Sequence, residues 1–134
     1  MMVVKPSERW RERVAEEARG LAAGTVDPSC AWAVELFPEP MLTATDAVLA
    51  AFDAEVGELR EPSDARGFEA VERVVRSLNR VNEEFGGAAY ETEEREELCA
   101  YIDGVLSWHG LDVAALAARR GLGRHEITDR WRDW

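Results

Sequence analysis

The stretch that decides the fold is residues 64–85, which read DARGFEAVERVVRSLNRVNEEF. Its inward positions recur three and four residues apart, the period of one face of an α-helix. These positions are Phe68, Val71, Val75, Leu78, Asn82 and Phe85. Two glycines, Gly86 and Gly87, follow directly and are typical of a helix end. We therefore predict one long amphipathic helix against which the rest of the chain packs.

The chain on both sides of this helix shows the same helical period. Each of the longer flanking helices has a polar residue that can cap its start. The predicted helices and caps are 7–23 with Ser7, 44–59 with Thr43, and 93–109 with Thr92. Shorter helices are predicted over 111–120 and 124–131, and a turn with a new cap at Glu61, Pro62, Ser63 and Asp64.

Residues 29–37 are densely apolar, and their length fits either a short buried helix or a strand. We favour the helix, because Asp27 and Pro28 resemble a cap followed by proline in the first turn. Strand-like alternation is otherwise weak, with 87–91 the one further candidate. The predicted fold is all-α: a single domain over 1–134, a compact orthogonal or antiparallel bundle of about five to seven helices, with at most one minor β element.

The composition excludes several classes of protein. Of the 134 residues, 46% are hydrophobic, which is too many for a disordered chain despite a net charge of −11. No apolar run reaches the ~18 residues of a membrane span. The charge is uneven, because residues 53–97 carry 14 Asp+Glu against 6 Arg, while residues 111–134 carry a net +1. An acidic middle repels nucleic acid and anionic lipid, which leaves basic partners; the alternative is that the charge serves solubility alone.

The cysteines and the first residues bear on location. Cys30 and Cys99 both stand in apolar settings, so we expect two buried free thiols. Residues 1–10 lack the apolar core of a signal peptide, and we expect a cytoplasmic protein. All but one of the 16 basic residues are arginine, a bias that suggests a GC-rich bacterial genome.

Glutamates crowd the end of the central helix and the start of the next one. A helix N-terminus favours negative charge, so a solvated helix start is one interpretation. The other is an interaction face for a basic protein, formed by Glu83, Glu84, Glu91, Glu93, Glu94, Glu96 and Glu97. We predict no metal site, because the EF-hand order is absent and neither histidine follows a glutamate by three residues.

Asn82 occupies a position of the apolar face, where a polar group needs a partner. One interpretation is that its amide bonds the backbone of the loop over 86–91. The other is a polar pocket that holds a partner or a small ligand. The candidate residues of that pocket are Asn79, Asn82, Thr92 and Arg95.

Residues 112–132 carry small and apolar residues at the spacing of a tight helical corner. The small residue, the turn glycine and two corner residues are Ala117, Gly121, Leu122 and Ile127. This segment resembles the helix-turn-helix of bacterial DNA-binding proteins, although Arg130 stands where that motif has a further apolar residue. The resemblance implies a recognition helix whose groove-facing residues include Arg124, His125 and Arg130. A plain corner between two helices asks for the same pattern, and this alternative stays open.

The sequence shows no constellation for nucleophilic catalysis, and we assign no catalytic residue and no cofactor. His109 stands at a predicted helix end, where a capping role suits it. Trp131 and Trp134 are expected to pack back on the bundle, with a role in an interface as the alternative.

The leading hypothesis is therefore a protein that acts by binding a basic protein, with an immunity or antitoxin protein as one concrete form. The alternatives are a DNA-binding regulator that uses 112–132, and a small-molecule binder or enzyme with a pocket near Asn82. The apolar face over 68–85 also fits packing across a homodimer, which is left open.

Overall fold

Helix α4, Asp64–Glu84, forms where the apolar period predicts it and packs mainly against α3. The structure is a computed structural model that describes residues 3–59 and 63–134. Ser63 caps α4, since its side chain accepts a hydrogen bond from the backbone N–H of Arg66. The other part of the predicted turn, Glu61 and Pro62, lies outside the described residues.

The described chain contains six α-helices and two short 3₁₀ turns. The helices are α1 Pro6–Ala23, α2 Ala33–Leu36, α3 Glu39–Gly57, α4 Asp64–Glu84, α5 Thr92–Trp108 and α6 Val113–Ala118; the 3₁₀ turns are Pro28–Cys30 and Arg124–Glu126. Over 3–59 and 63–134 there is no strand, at 29–37 or at 87–91. The all-α prediction is thus confirmed, and the minor β element is not part of the described fold.

Helices α3 and α4 form the main pair of the bundle, and α5 packs against α1, α3 and α6. The core between them is apolar and fully enclosed. Its largest side chains with almost no exposed surface include Trp10, Phe52, Met41, Leu49, Leu78, Leu98, Ile102 and Leu116. The residues predicted to face inward on α4 are buried, and Phe85, which directly follows the helix, is half-buried.

Three predicted caps are wrong, because each polar residue lies within a helix. Ser7 is buried in the first turn of α1, which begins at Pro6, and its hydroxyl donates to Asp46 of α3. Thr43 lies inside α3, which begins four residues earlier at Glu39. Thr92 is the first residue of α5, and Glu91 holds the cap position. Proline near the start of α1 and of α3 supplies the φ angle of a first turn without a side-chain cap.

The predicted helix over 124–131 is also wrong. After the 3₁₀ turn Arg124–Glu126 the chain folds back across the bundle. Ile127 and Trp134 are buried, and the Trp131 ring lies 5.0 Å from that of Phe68, as expected of a tail that packs on the core. Both cysteines are free thiols, as predicted. The prediction that they are buried is wrong, because Cys30 is exposed and Cys99 is half-buried.

An aromatic cluster joins four separate segments of the chain. The Trp10 ring stacks on Phe37 with 5.6 Å between ring centres and lies 6.1 Å from Tyr90. Trp134 meets Tyr90 edge-on at 5.8 Å. The Tyr90 hydroxyl lies 2.6 Å from Oγ1 of Thr45 in α3. Burial raises the pKa of Tyr90 to about 12, despite this hydrogen bond, so the phenol stays protonated at neutral pH.

No helix of the described residues has the length and apolar character that crossing a membrane requires.

Substitution of Gly67 tests how closely the C-terminal third of the chain packs on α4. A Cβ at this position would clash with Leu111 Cδ2 and come within 3.3 Å of Leu116 Cδ1, in a packed core. We expect Gly67→Ala to lower the free energy of unfolding by about 1–2 kcal/mol, because overpacking outweighs the gain in helix propensity.

Gly104→Ala in α5 is the matched control, measured by urea denaturation alongside Gly67→Ala. Its Cβ would meet Val3 at 3.3 Å, in a segment outside the helices that can yield. This control is expected to leave stability unchanged or raise it by up to ~1 kcal/mol. Equal effects of the two substitutions would contradict the packing assigned to Gly67.

Candidate interaction site at α2 and the loop between α4 and α5

The loop between α4 and α5 is held by the side-chain amide of Asn82. Its Nδ2 donates to the carbonyl of Gly87 at 3.3 Å, and its Oδ1 accepts the backbone N–H of Ala89 at 2.9 Å. Asn82 is 3% exposed, so these bonds supply the partners that a buried amide needs. The positive φ angles of Gly86 and Gly87, 97° and 84°, let the chain turn back sharply here.

The four residues of the predicted polar pocket do not come together. Asn82 serves the loop, while Asn79 holds the C-terminal tail: its Nδ2 donates to the Trp131 carbonyl at 2.7 Å, and its Oδ1 accepts the N–H of Asp133 at 2.9 Å. Thr92 and Arg95 lie elsewhere, on a cleft between α5 and the residues that follow α6.

This cleft has a volume of about 580 Å³, the size of a small-molecule site. Cys99 lies in its wall, 3.1 Å from Nη1 of Arg132 and 3.5 Å from Oγ1 of Thr128. The Nε–H of Arg95 is buried there without an acceptor among the described residues. The remaining lining residues are Thr92, Glu96, Ala100, Asp103, Arg124, His125, Ile127 and Asp129.

The residues predicted to contact DNA do not share a helix. Arg124 is paired with both carboxylate oxygens of Asp103 at 2.6 Å, and His125 is exposed beside the cleft. Arg130 is exposed and lines a separate groove over α4. The segment over 112–132 contains α6 and then the 3₁₀ turn, so the predicted recognition helix is absent from it. Ala117, Leu122 and Ile127 pack instead as a plain corner.

The predicted acidic face is divided by the fold. Five of its residues are exposed: Glu83, Glu84, Glu91, Glu93 and Glu96. Glu97 is half-buried, with its carboxylate 4.0 Å from Arg9 of α1. Glu94 is 5% exposed, so its assignment to a solvent-facing surface is wrong. It stands four residues before Leu98 and seven before Tyr101, on the core-facing side of α5, and this spacing was the available signal.

Glu94 lies at a small pocket where α2 and the loop between α4 and α5 meet. The pocket has a volume of about 130 Å³ and holds two further carboxylates, Glu35 and Glu91. Its other walls are mainly apolar: Leu36, Pro38, Met41, Phe85, Ala88 and Ala89. We call this set of residues the acidic pocket.

The carboxylate of Glu94 is poorly compensated within the described chain. Burial raises its pKa above the ordinary value of 4.5, and the charges of Glu93 and Glu97 act in the same direction. Its own backbone N–H and the charge of Arg13 oppose this shift. The guanidinium of Arg13 lies over the Phe37 ring, 5.1 Å from the ring centre.

Helix α2 places two exposed apolar side chains next to the acidic pocket. Trp32, its cap residue, is 62% exposed and Val34 is 61% exposed. The Trp32 indole is held in place, because its Nε1 donates to the Ser29 carbonyl at 2.8 Å. Glu17 of α1 anchors the start of α2 by accepting the N–H of Ala33 at 2.9 Å. Sequence reasoning missed this patch, since an apolar run of this density predicts burial.

Other chemistry-bearing groups are engaged in structural contacts. His109, at the C-terminal end of α5, lies with Nε2 2.8 Å from a carboxylate oxygen of Asp53. Over 3–59 and 63–134, no group of three or more His, Cys, Asp or Glu side chains is arranged to hold a metal ion.

The fold and site thus define an all-α bundle with an acidic, partly apolar surface at one end. Comparison of the chain with protein-family models, with curated proteins and with solved structures finds no match.

Glu94→Gln tests the burial of this carboxylate. The folded-state pKa lies above the unfolded value, so ionisation at neutral pH costs stability, and this cost disappears below the unfolded pKa. We expect the glutamine variant to be more stable than the wild type at pH 7, with the difference shrinking as the pH falls through the raised pKa of the folded state and gone below the unfolded value of 4.5.

Urea denaturation at a series of pH values measures this difference. Glu93→Gln is the control, because it makes the same change one residue away at an exposed position. A stability difference for Glu94→Gln that does not vary with pH, or that matches the control, would sink the assignment.

Proposed function

We propose that this protein acts by binding a basic protein partner through the end of the bundle formed by α2, the loop between α4 and α5, and the first turn of α5. The observation that carries the proposal is the combination of exposed glutamates with an exposed, held tryptophan. Tryptophan is enriched at the energetic centres of protein interfaces, and complementary charge speeds and directs association.

Several carboxylates elsewhere in the bundle are engaged by arginines, whereas the exposed glutamates of this end are not. Arg11 pairs with Glu39 and Asp46, and Arg73 pairs with Glu55. The exposed members of the acidic face, Glu83, Glu84, Glu91, Glu93 and Glu96, are in no ion pair within the described chain. Their negative field is therefore available to an incoming cationic surface.

One concrete form of this function is an immunity or antitoxin protein of the bacterial cytoplasm. Small acidic proteins of that kind neutralise basic toxic nucleases. The net charge of −11 and its concentration over residues 53–97 support this form by analogy with the class.

A second candidate function is the binding of a small carboxylate in the cleft beside α5. Arg95 favours it, because this residue lines the cleft, is in no ion pair within the described chain, and carries a guanidinium group that can pair with a carboxylate. The cleft also exposes more apolar than polar surface, which suits an apolar body on the ligand.

Charge reversal tests the leading proposal. The variant carries Glu83→Lys, Glu84→Lys, Glu93→Lys and Glu96→Lys. We expect it to lose at least about tenfold in affinity, or ~1.4 kcal/mol, for basic proteins that the immobilised wild type retains at low salt. Biolayer interferometry on the purified retained proteins, at low and at high salt, provides the measurement.

The matched control reverses four exposed glutamates elsewhere: Glu12, Glu16, Glu58 and Glu69. Both variants change the net charge equally, so a difference between them reports the location of the interface. If the two variants bind equally well, or if binding is unchanged by either, the proposed interface is wrong.

The cleft is tested with benzoate as the probe. We expect a saturable change in the NMR shift of the Arg95 Nε–H in the wild type, and loss of saturation in Arg95→Gln. Arg19→Gln, at an exposed position on α1, is the control and should bind as the wild type does. A linear, unsaturated response of the wild type would eliminate this second function.

A further inference from the structure

The acidic pocket at α2 and the loop between α4 and α5 has the size of one extended side chain. Its volume of about 130 Å³ is less than a quarter of that of the cleft beside α5, which is about 580 Å³. A lysine side chain, with four methylene groups and a compact ammonium group, is slender enough to enter a small pocket of this kind.

The lining of the pocket suits both parts of a lysine side chain. Leu36, Met41 and Phe85 offer an apolar surface to the methylene stem. Glu35, Glu91 and Glu94 offer carboxylates to the ammonium group, which carries three hydrogen-bond donors.

Glu94 provides the independent observation that points to a ligand. Glu94 is 5% exposed and lines the pocket, and its carboxylate is in no ion pair within the described chain. A buried carboxylate needs a cationic or donor partner to offset desolvation.

The charged groups around Glu94 leave that need unmet. Glu93 and Glu97 on α5, together with Glu35 and Glu91, add negative charge. Arg13 of α1 adds positive charge, but it lies outside ion-pair distance of Glu94 and stacks on the Phe37 ring. An ammonium group in the pocket would supply the missing counter-charge.

We propose that the acidic pocket receives one lysine side chain of the basic protein partner, with Glu94 at its inner end and Glu35 and Glu91 at its mouth. The proposal rests on the proposed function for the identity of the partner. Trp32 and Val34, next to the pocket on α2, then contact the partner surface around that lysine.

The test uses n-butylammonium chloride as the probe, because this cation is the side chain of lysine without its backbone. It is titrated into the full ¹⁵N-labelled chain and followed by amide chemical shifts. We expect saturable changes confined to residues around Glu35, Ala88, Ala89 and Glu94. Butanol, which has the same stem without the charge, and potassium chloride at equal ionic strength should give no saturable change.

Variants at two neighbouring positions locate the binding. Glu94→Gln keeps the side-chain shape and is expected to weaken butylammonium binding at least about fivefold, since it removes the charge at the inner end. Glu93→Gln, exposed on the same helix, should change it less than about twofold. Unsaturated shifts spread over all exposed carboxylates, or equal binding by the wild type and Glu94→Gln, would overturn the proposal.

The result of the butylammonium titration can be told apart from the result of the charge-reversal experiment that tests the proposed function. The charge-reversal variant leaves Glu35, Glu91 and Glu94 unchanged. Retention of basic proteins without butylammonium binding would uphold the acidic surface and reject the pocket. Saturable butylammonium binding without any retained basic protein would uphold the pocket as a lysine site and reject the proposed function.

Discussion

The hydrogen bonds between Asn82 and the loop that follows α4 are the constraint on which this end of the bundle depends. They fold the chain inward at Gly87 and Ala89, and the next residue, Tyr90, enters the core. Its ring contacts Trp10 and Trp134, and its hydroxyl contacts Thr45. One buried amide thereby sets the position of a side chain that joins α1, α3 and the C-terminal tail.

The candidate site follows from the same inward turn. Because Tyr90 is drawn into the core, the first turn of α5 begins against the bundle, and Glu94 faces inward rather than into solvent. Phe85 and Ala89 become walls of the acidic pocket, and α2 closes its other side. The stability of the loop and the shape of the proposed binding surface therefore both depend on Asn82, the polar residue on the otherwise apolar inward face of α4.

Periodicity predicted the parts of the fold that depend on burial of apolar side chains. Helix α4 and the core face of α5 are long enough for the period of 3.6 residues to exclude other interpretations. The caps were less predictable, because serine and threonine can bond distant groups as readily as a helix end. Ser7 bonds Asp46, 39 positions away, and this contact exists only in the folded chain. Short segments such as 29–37 and 124–131 lack the length that would make periodicity decisive.

The charge pattern of the sequence identified the region of the candidate site, but it did not show which of the glutamates there are exposed and which are buried. Adjacent glutamates look equivalent in the sequence, yet the fold exposes Glu93, buries Glu94 and brings Glu97 near Arg9. A buried carboxylate with so little compensation lowers stability relative to an uncharged residue of the same shape. A partner that supplies the missing cation removes this cost on binding. The carboxylate then favours such a partner over one without a cation at that position, and so contributes specificity.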